Sequence, residues 1–208
     1  MLDIGCGHGF LLQQAIARGY KAAGVEASQK EARSLQAKGY DVFAGVFHDY
    51  EIETELNYDI ITLSHVLEQV SSPHDYLLKI KRSLHENGIL SVAVPNTPWH
   101  TFLGTHPVSA HTAHIYYFSP RTLKAMLRAC GYEIRSVSYG KGGAHLRILA
   151  SPRNQSHGIS KNYRLSLPIE DPEKTVKNIR RILASGKESI FRKILKKSIR
   201  KILLAAIP

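Results

Sequence analysis

Short apolar runs alternate with amphipathic stretches along the first 150 residues of the chain. Leu2-Asp3-Ile4 reads as the end of a strand, which Gly5-Cys6-Gly7-His8-Gly9 turns into a helix over Phe10 to Arg18. Ala22-Ala23-Gly24-Val25 is a second short strand, ending at Glu26, and Ser28 is placed to cap a helix that runs to about Lys38. Asp41 to Val46 is a third strand. Tyr58 to Leu63 is a nearly unbroken apolar run, the pattern of a strand covered on both faces. After Ser72-Pro73 a helix is predicted from about His74 to His85, with Tyr76, Leu77, Ile80 and Leu84 facing inward. Asn87-Gly88 is expected to end that helix, and Ile89 to Val94 to form the next strand, closed by Pro95. Residues 96–118 show no period. Ser119-Pro120 opens a last helix, closed by Gly131, and Glu133–Tyr139 and Ala144–Ala150 read as two strands of a hairpin. Strands that alternate with helices predict a parallel sheet covered on both faces, and the hairpin adds an antiparallel edge. In such sheets ligands bind beyond the carboxyl ends of the strands, which gathers the loops after residues 4, 26, 46 and 63 around one crevice.

Charge divides the chain in two. The net charge of +11 comes from 28 basic and 17 acidic residues, but residues 153–208 carry 14 of the bases and only 4 of the acids. Residues 1–152 are therefore nearly neutral and read as one α/β domain, while 153–208 read as a basic tail. In that tail Ile190, Phe191, Ile194, Leu195, Ile199, Ile202 and Leu203 fall on one side of a helix and Arg192, Lys193, Lys196, Lys197 and Arg200 on the other. A basic amphipathic helix over 189–206 suits an anionic membrane surface; packing on the domain or on a second subunit is the competing reading. No apolar run approaches the roughly 20 residues of a membrane span, and the first residues lack the pattern of a secretion signal. With two cysteines in separate elements, Cys6 and Cys130, neither a disulfide framework nor a zinc site is expected, and a cytoplasmic setting follows.

The glycine loop carries the first chemistry. Its spacing is G-x-G-x-G rather than the G-x-G-x-x-G of dinucleotide sites. Asp3 offers a carboxylate suited to an ammonium group, and Glu26 one suited to two ribose hydroxyls. A turn-capping Asp3 and a solvated Glu26 are the bland alternative. Residues 2–9, Leu2-Asp3-Ile4-Gly5-Cys6-Gly7-His8-Gly9, resemble motif I of class I methyltransferases. Tyr58-Asp59-Ile60-Ile61, then Val66-Leu67-Glu68-Gln69-Val70 with Pro73, and Leu84 to Asn96 are similar to the branch that holds the ubiquinone-biosynthesis O-methyltransferases, as is His114 to Tyr132. The resemblance spans about residues 1–150. It implies a Rossmann-like, doubly wound, mostly parallel seven-stranded sheet and S-adenosylmethionine as cofactor. It further implies that Asp3, Gly5, Cys6 and Gly7 hold the methionine end, that Glu26 and Ala27 meet the ribose, that Val46 and Phe47 flank the adenine through backbone contacts, and that Ser64 lies beside the sulfonium.

For the transfer itself His65, Glu68 and His114 are the candidates, as a base and as polar contacts of the acceptor. A helix-start charge at Glu68 and a wall role for His65 are the alternative. Where the resembling enzymes carry two glutamates and a histidine around a divalent metal, this chain has His65, Glu68 and Gln69, so no metal is expected. Trp99, His100, His106 and His111 lie with His114 in a segment that reads as a loop covering the substrate. The expected partner is a small-molecule or glycan-type acceptor, methylated at oxygen. An RNA methyltransferase tethered by its tail is disfavoured, since the tail lacks aromatics interleaved with its bases. Motif I begins at Leu2, where class I enzymes carry further residues before it, so a shortened, non-catalytic relative is a third reading.

Overall fold

Strands form where β-branched and apolar residues cluster between glycine or proline stops, and their order along the sheet follows from the crossovers between them. The computed structural model describes residues 1–51, 58–97, 114–140 and 143–153. Seven strands are present: β1 (Leu2–Ile4), β2 (Ala23–Glu26), β3 (Asp41–Ala44), β4 (Tyr58–Ser64), β5 (Leu84–Pro95), β6 (Tyr132–Tyr139) and β7 (His145–Pro152). Among the described residues four helices join them: α1 (Phe10–Ile16), α2 (Gln29–Gln36), α3 (Pro73–Ser83) and α4 (Pro120–Ala129). The sheet order is β3-β2-β1-β4-β5-β7-β6. All pairs from β3 to β5 are parallel, and β7 runs antiparallel to both its neighbours. The doubly wound sheet with an antiparallel edge is thus present, and the chain's direction of travel reverses between β1 and β4, where such folds open a crevice.

Two cores hold the layers together. The larger runs through Leu2, Ile4, Ile61, Leu63, Leu77, Ile80, Leu123 and Tyr132, and the smaller sits under α2, with Cys6, Leu12, Ala32, Leu35 and Val42. Tyr132 is fully buried, yet its hydroxyl is satisfied because it donates to the Leu77 carbonyl at 2.9 Å. The helix starts follow their caps. Ser28 accepts from the Glu31 N–H, and Ser119 with Thr122 forms a reciprocal capping box in front of Pro120.

Several ends fall one or two residues from the sequence expectation, and the end of α3 differs in kind. The predicted helix to His85 stops at Ser83, whose hydroxyl donates to the Lys79 carbonyl, and Leu84 already pairs with Tyr58 in the sheet. His85 to Gly88 are then an excursion within β5, because Tyr58 pairs with Leu84 while Ile60 pairs with Ile89. Asn87-Gly88 serves this bulge rather than a helix end. Trp99, His100, His106, His111 and the tail helix at 189–206 lie outside the described residues.

Candidate functional site

A cavity of about 730 Å³ opens at the carboxyl ends of β1, β2 and β4. Six of the residues expected at the cofactor line it: Gly5, Glu26, Ala27, Val46, Phe47 and Ser64. His65 lines it as well. Gly5 and Gly7 take positive φ values of 73° and 53°, which side chains other than glycine rarely adopt. They do different things. A Cβ on Gly5 would collide with Val66, so this glycine permits close packing of two loops; a Cβ on Gly7 would meet nothing, so the backbone there is open to a ligand.

Glu26 ties these loops. One carboxylate oxygen accepts from the Gly7 N–H at 2.7 Å and the other from the Ser28 N–H at 2.8 Å, and each oxygen keeps a lone pair for a further donor. Asp3 is buried one layer below, does not line the cavity, and accepts from the Thr62 hydroxyl. Burial pushes its carboxyl above the ordinary carboxylate range; the Thr62 hydrogen bond opposes that rise and the charge of Glu26 adds to it. Among the described residues no basic side chain forms an ion pair with Asp3 or Glu26. Two neighbouring carboxylates that lack a protein cation, beside a glycine with open space above it, fit a ligand that carries positive charge and donor hydroxyls. Cys6 differs from expectation. Its side chain lies in the smaller core, with Sγ close against Gly24, and burial pushes the thiol up to about 12. Only its backbone is near the loop.

The second group forms around Glu68. Its side chain is 1% exposed, with Oε1 at 3.3 Å from His65 Nδ1 and 3.8 Å from His114 Nε2. His65 and Glu68, expected together, and His114, expected from a separate segment, therefore meet at one carboxylate. Oε2 of Glu68 is buried and accepts no hydrogen bond from the described residues. The Glu68 carbonyl accepts from the Ile115 and Tyr116 N–H groups at 2.8 and 3.0 Å, which fastens the segment carrying His114 to the end of β4. His65 is the single non-glycine residue with positive φ, 57°, among those described, a conformation that costs energy and must be held by its surroundings. The holders are visible: its N–H donates to the Ala93 carbonyl and its own carbonyl accepts from the Gln69 amide at 2.7 Å. Gln69 thus serves as a latch on His65. Among the described residues no group of three His, Cys, Asp or Glu side chains stands close enough to hold one metal ion.

Sequence reasoning missed His145. Its ring meets that of His65 edge-on at 4.9 Å, brought there because β7 pairs antiparallel with β5 and sets His145 opposite Pro95. It also missed Asn96, buried just past β5, whose amide nitrogen donates to the Gly143 carbonyl at 2.8 Å. Only strand pairing across some fifty residues places either one, and no local pattern signals that.

The methyltransferase domain family matches residues 1–137. The chain belongs to that family. Relatives and solved structures agree. The domain is 25% identical to the ubiquinone biosynthesis O-methyltransferase of Maricaulis maris over 158 residues, 67% of this chain and 62% of the relative. It is 26% identical to the mitochondrial ubiquinone biosynthesis O-methyltransferase of Schizosaccharomyces pombe over 185 residues, 80% of this chain and 67% of that one. The chain spans about three-fifths of the length of the Maricaulis relative. Among solved structures, a methyltransferase dependent on S-adenosylmethionine from Mesorhizobium loti matches 72% of this chain and 89% of its own, with a TM-score of 0.62 at 14% identity. The 1,6-didemethyltoxoflavin-N1-methyltransferase of Burkholderia thailandensis, solved with 1,6-didemethyltoxoflavin and S-adenosylhomocysteine, matches 74% of this chain and 70% of its own, with a TM-score of 0.59 at 17% identity. The chain thus carries a methyltransferase domain, and the solved structures share its fold.

Proposed function

We propose that this methyltransferase domain methylates an oxygen of a small-molecule or glycan-type acceptor, with His65 as the base and Glu68 as the group that orients it. The observation that carries the reading is the Glu68 carboxylate, buried and shared between His65 and His114. With its proton on Nδ1, His65 donates to Glu68 and keeps Nε2 as an acceptor, the form a general base needs. The relatives named as O-methyltransferases favour oxygen as the acceptor atom.

Gly5, Gly7, Glu26, Val46, Phe47 and Ser64 would hold the cofactor, and Asp3 would face its positive charge from beneath the loop. Once bound, S-adenosylmethionine supplies an already activated methyl group, so alignment contributes most of the rate. His65 then takes the acceptor's hydroxyl proton at Nε2, and Glu68 steadies the imidazolium that results. His114, the third member, is 13% exposed and positioned to bond an acceptor substituent as well as Glu68. The test is a screen of hydroxylated acceptors with the full chain, with and without a chelator. Methyl transfer to oxygen that survives chelation supports the reading; a strict need for divalent metal would overturn the role given to His65.

The basic tail supports a second element of the same reading, from its sequence alone: attachment to an anionic lipid surface. Each base near such a surface contributes on the order of 1 kcal/mol, and the attraction weakens with salt. Sedimentation with anionic and neutral vesicles, comparing the full chain with one that ends at Pro152, decides it. Equal pelleting of both chains would leave the tail a packing element.

A further inference from the structure

Lys79 stands on α3, outside every group discussed above, yet lines the same cavity. Its ammonium donates to three backbone carbonyls, those of Phe47 at 2.7 Å, His48 at 2.6 Å and Tyr50 at 2.8 Å. An ammonium has three N–H donors, so all are committed. The same nitrogen lies 4.9 Å from the centroid of the Phe47 ring, within reach of a cation–π attraction. Residues 46–50 form a tight turn, with Asp49 N–H donating to Val46 and Tyr50 N–H to Phe47. Gly45 N–H donates to the Glu26 carbonyl, which ties the front of this turn to the strand end that carries the ribose-facing carboxylate.

We propose that Lys79 is a positioning residue that sets the base specificity of the cofactor pocket. It gathers the turn's carbonyl oxygens at one end, and the first N–H groups of a helical turn then stand at the other. Those N–H groups belong to Val46, Phe47 and His48, of which Val46 is half exposed at the cavity wall. The pocket so formed offers an apolar side chain to the flat face of a purine and hydrogen-bond donors to its edge. Adenine presents bare ring nitrogens to such donors. Hypoxanthine carries a proton on one of them and is rejected. A lysine that served only to fasten α3 to the loop would affect both bases alike.

The inference rests on S-adenosylmethionine as cofactor, and its test separates the two. The full chain is titrated calorimetrically with S-adenosylhomocysteine and with its deaminated analogue, S-inosylhomocysteine. The wild type is expected to prefer the adenine form. In Lys79→Met that form weakens on the order of tenfold while the inosine form changes little, so the ratio of affinities collapses; Lys79→Arg, which keeps the cation and its donors, restores it. Should Lys79→Met fail to fold, Lys79→Gln takes its place, and a reduced ratio there supports the proposal equally. A ratio unchanged in the variants, whatever happens to melting temperature, overturns the role of Lys79. So does a wild type indifferent to the base. Absence of any binding by the wild type would instead overturn the cofactor reading, and this proposal with it.

Discussion

At the carboxyl ends of β1 and β2 the molecule places two carboxylates, Asp3 and Glu26, with no basic side chain paired to either among the described residues. At the end of β4 it places one, Glu68, between two imidazoles. The first arrangement is incomplete until a cation arrives, so its electrostatics belong to the ligand. The second has its imidazole partners within the protein on one carboxylate oxygen, while the other, Oε2, is buried without a hydrogen-bond donor among the described residues. On the proposed reading, half of the crevice binds and half moves a proton. The two halves meet where β1 and β4 lie side by side.

Variants should separate the halves. His65→Ala is expected to have the largest effect, a fall in turnover of roughly a hundredfold with S-adenosylhomocysteine affinity unchanged; equal losses in both would erase the division. Glu26→Ala should do the reverse. It removes the acceptor for Gly7 and, on the proposed reading, for the ribose, and affinity measured by calorimetry should drop roughly thirtyfold, or about 2 kcal/mol, with turnover at saturating cofactor little changed. Glu68→Gln should lower turnover by about tenfold, less than His65→Ala, because an amide oxygen still accepts from His65 Nδ1. Retention of full turnover would reduce Glu68 to a packing residue.

The smallest effect is the most diagnostic of an unmet charge. Asp3→Asn keeps an acceptor for Thr62 and removes a buried carboxylate, so the ligand-free chain should melt a few degrees higher at neutral pH while its affinity for the cofactor falls. The sign follows from the raised carboxyl. A carboxyl whose folded pKa lies above its ordinary value of 3.8 costs no stability below that value and an increasing amount as the pH climbs through the folded one. The gap in melting temperature between the variant and the wild type should therefore vanish near about pH 3 and open toward neutrality. A gap independent of pH, or a variant that melts lower throughout, would show that Asp3 is compensated in the free protein.

How legible each half was in the sequence follows from the same contrast. The binding half is local. Glycine spacing, a strand-end acid and a second strand-end acid suffice to find Gly5, Gly7 and Glu26, because the turn conformation and its residues lie together in the chain. Cys6 was misplaced since alternation at a sharp turn does not say which way a side chain leaves; Gly24, with no side chain of its own, is what lets the thiol turn inward. In the second half His65 and Glu68 were legible as neighbours. That His114 joins them depends on Ile115 and Tyr116 bonding the Glu68 carbonyl, and His145 on the β5–β7 register. Lys79 gave no sign at all, since a lysine on an amphipathic helix looks like any solvated charge. The helix end at Ser83 was hidden for a related reason: Asn87-Gly88 is a sound stop signal, but the pairing of Leu84 with Tyr58 intervenes first.

The position of β7 has a consequence for how the chain comes to be folded. The last of the described strands is inserted between β5 and β6, so until Pro152 has left the ribosome the outer edge of β5 lacks β7 and β6 lacks the strand it docks on. The match to the methyltransferase domain family ends at residue 137, inside β6. A polypeptide cut there would keep every glycine and acid of the crevice and still expose the open edge of Leu90–Pro95, a template for pairing with other nascent chains. The matched stretch is therefore shorter than the stretch that must be translated before β7 can close the sheet.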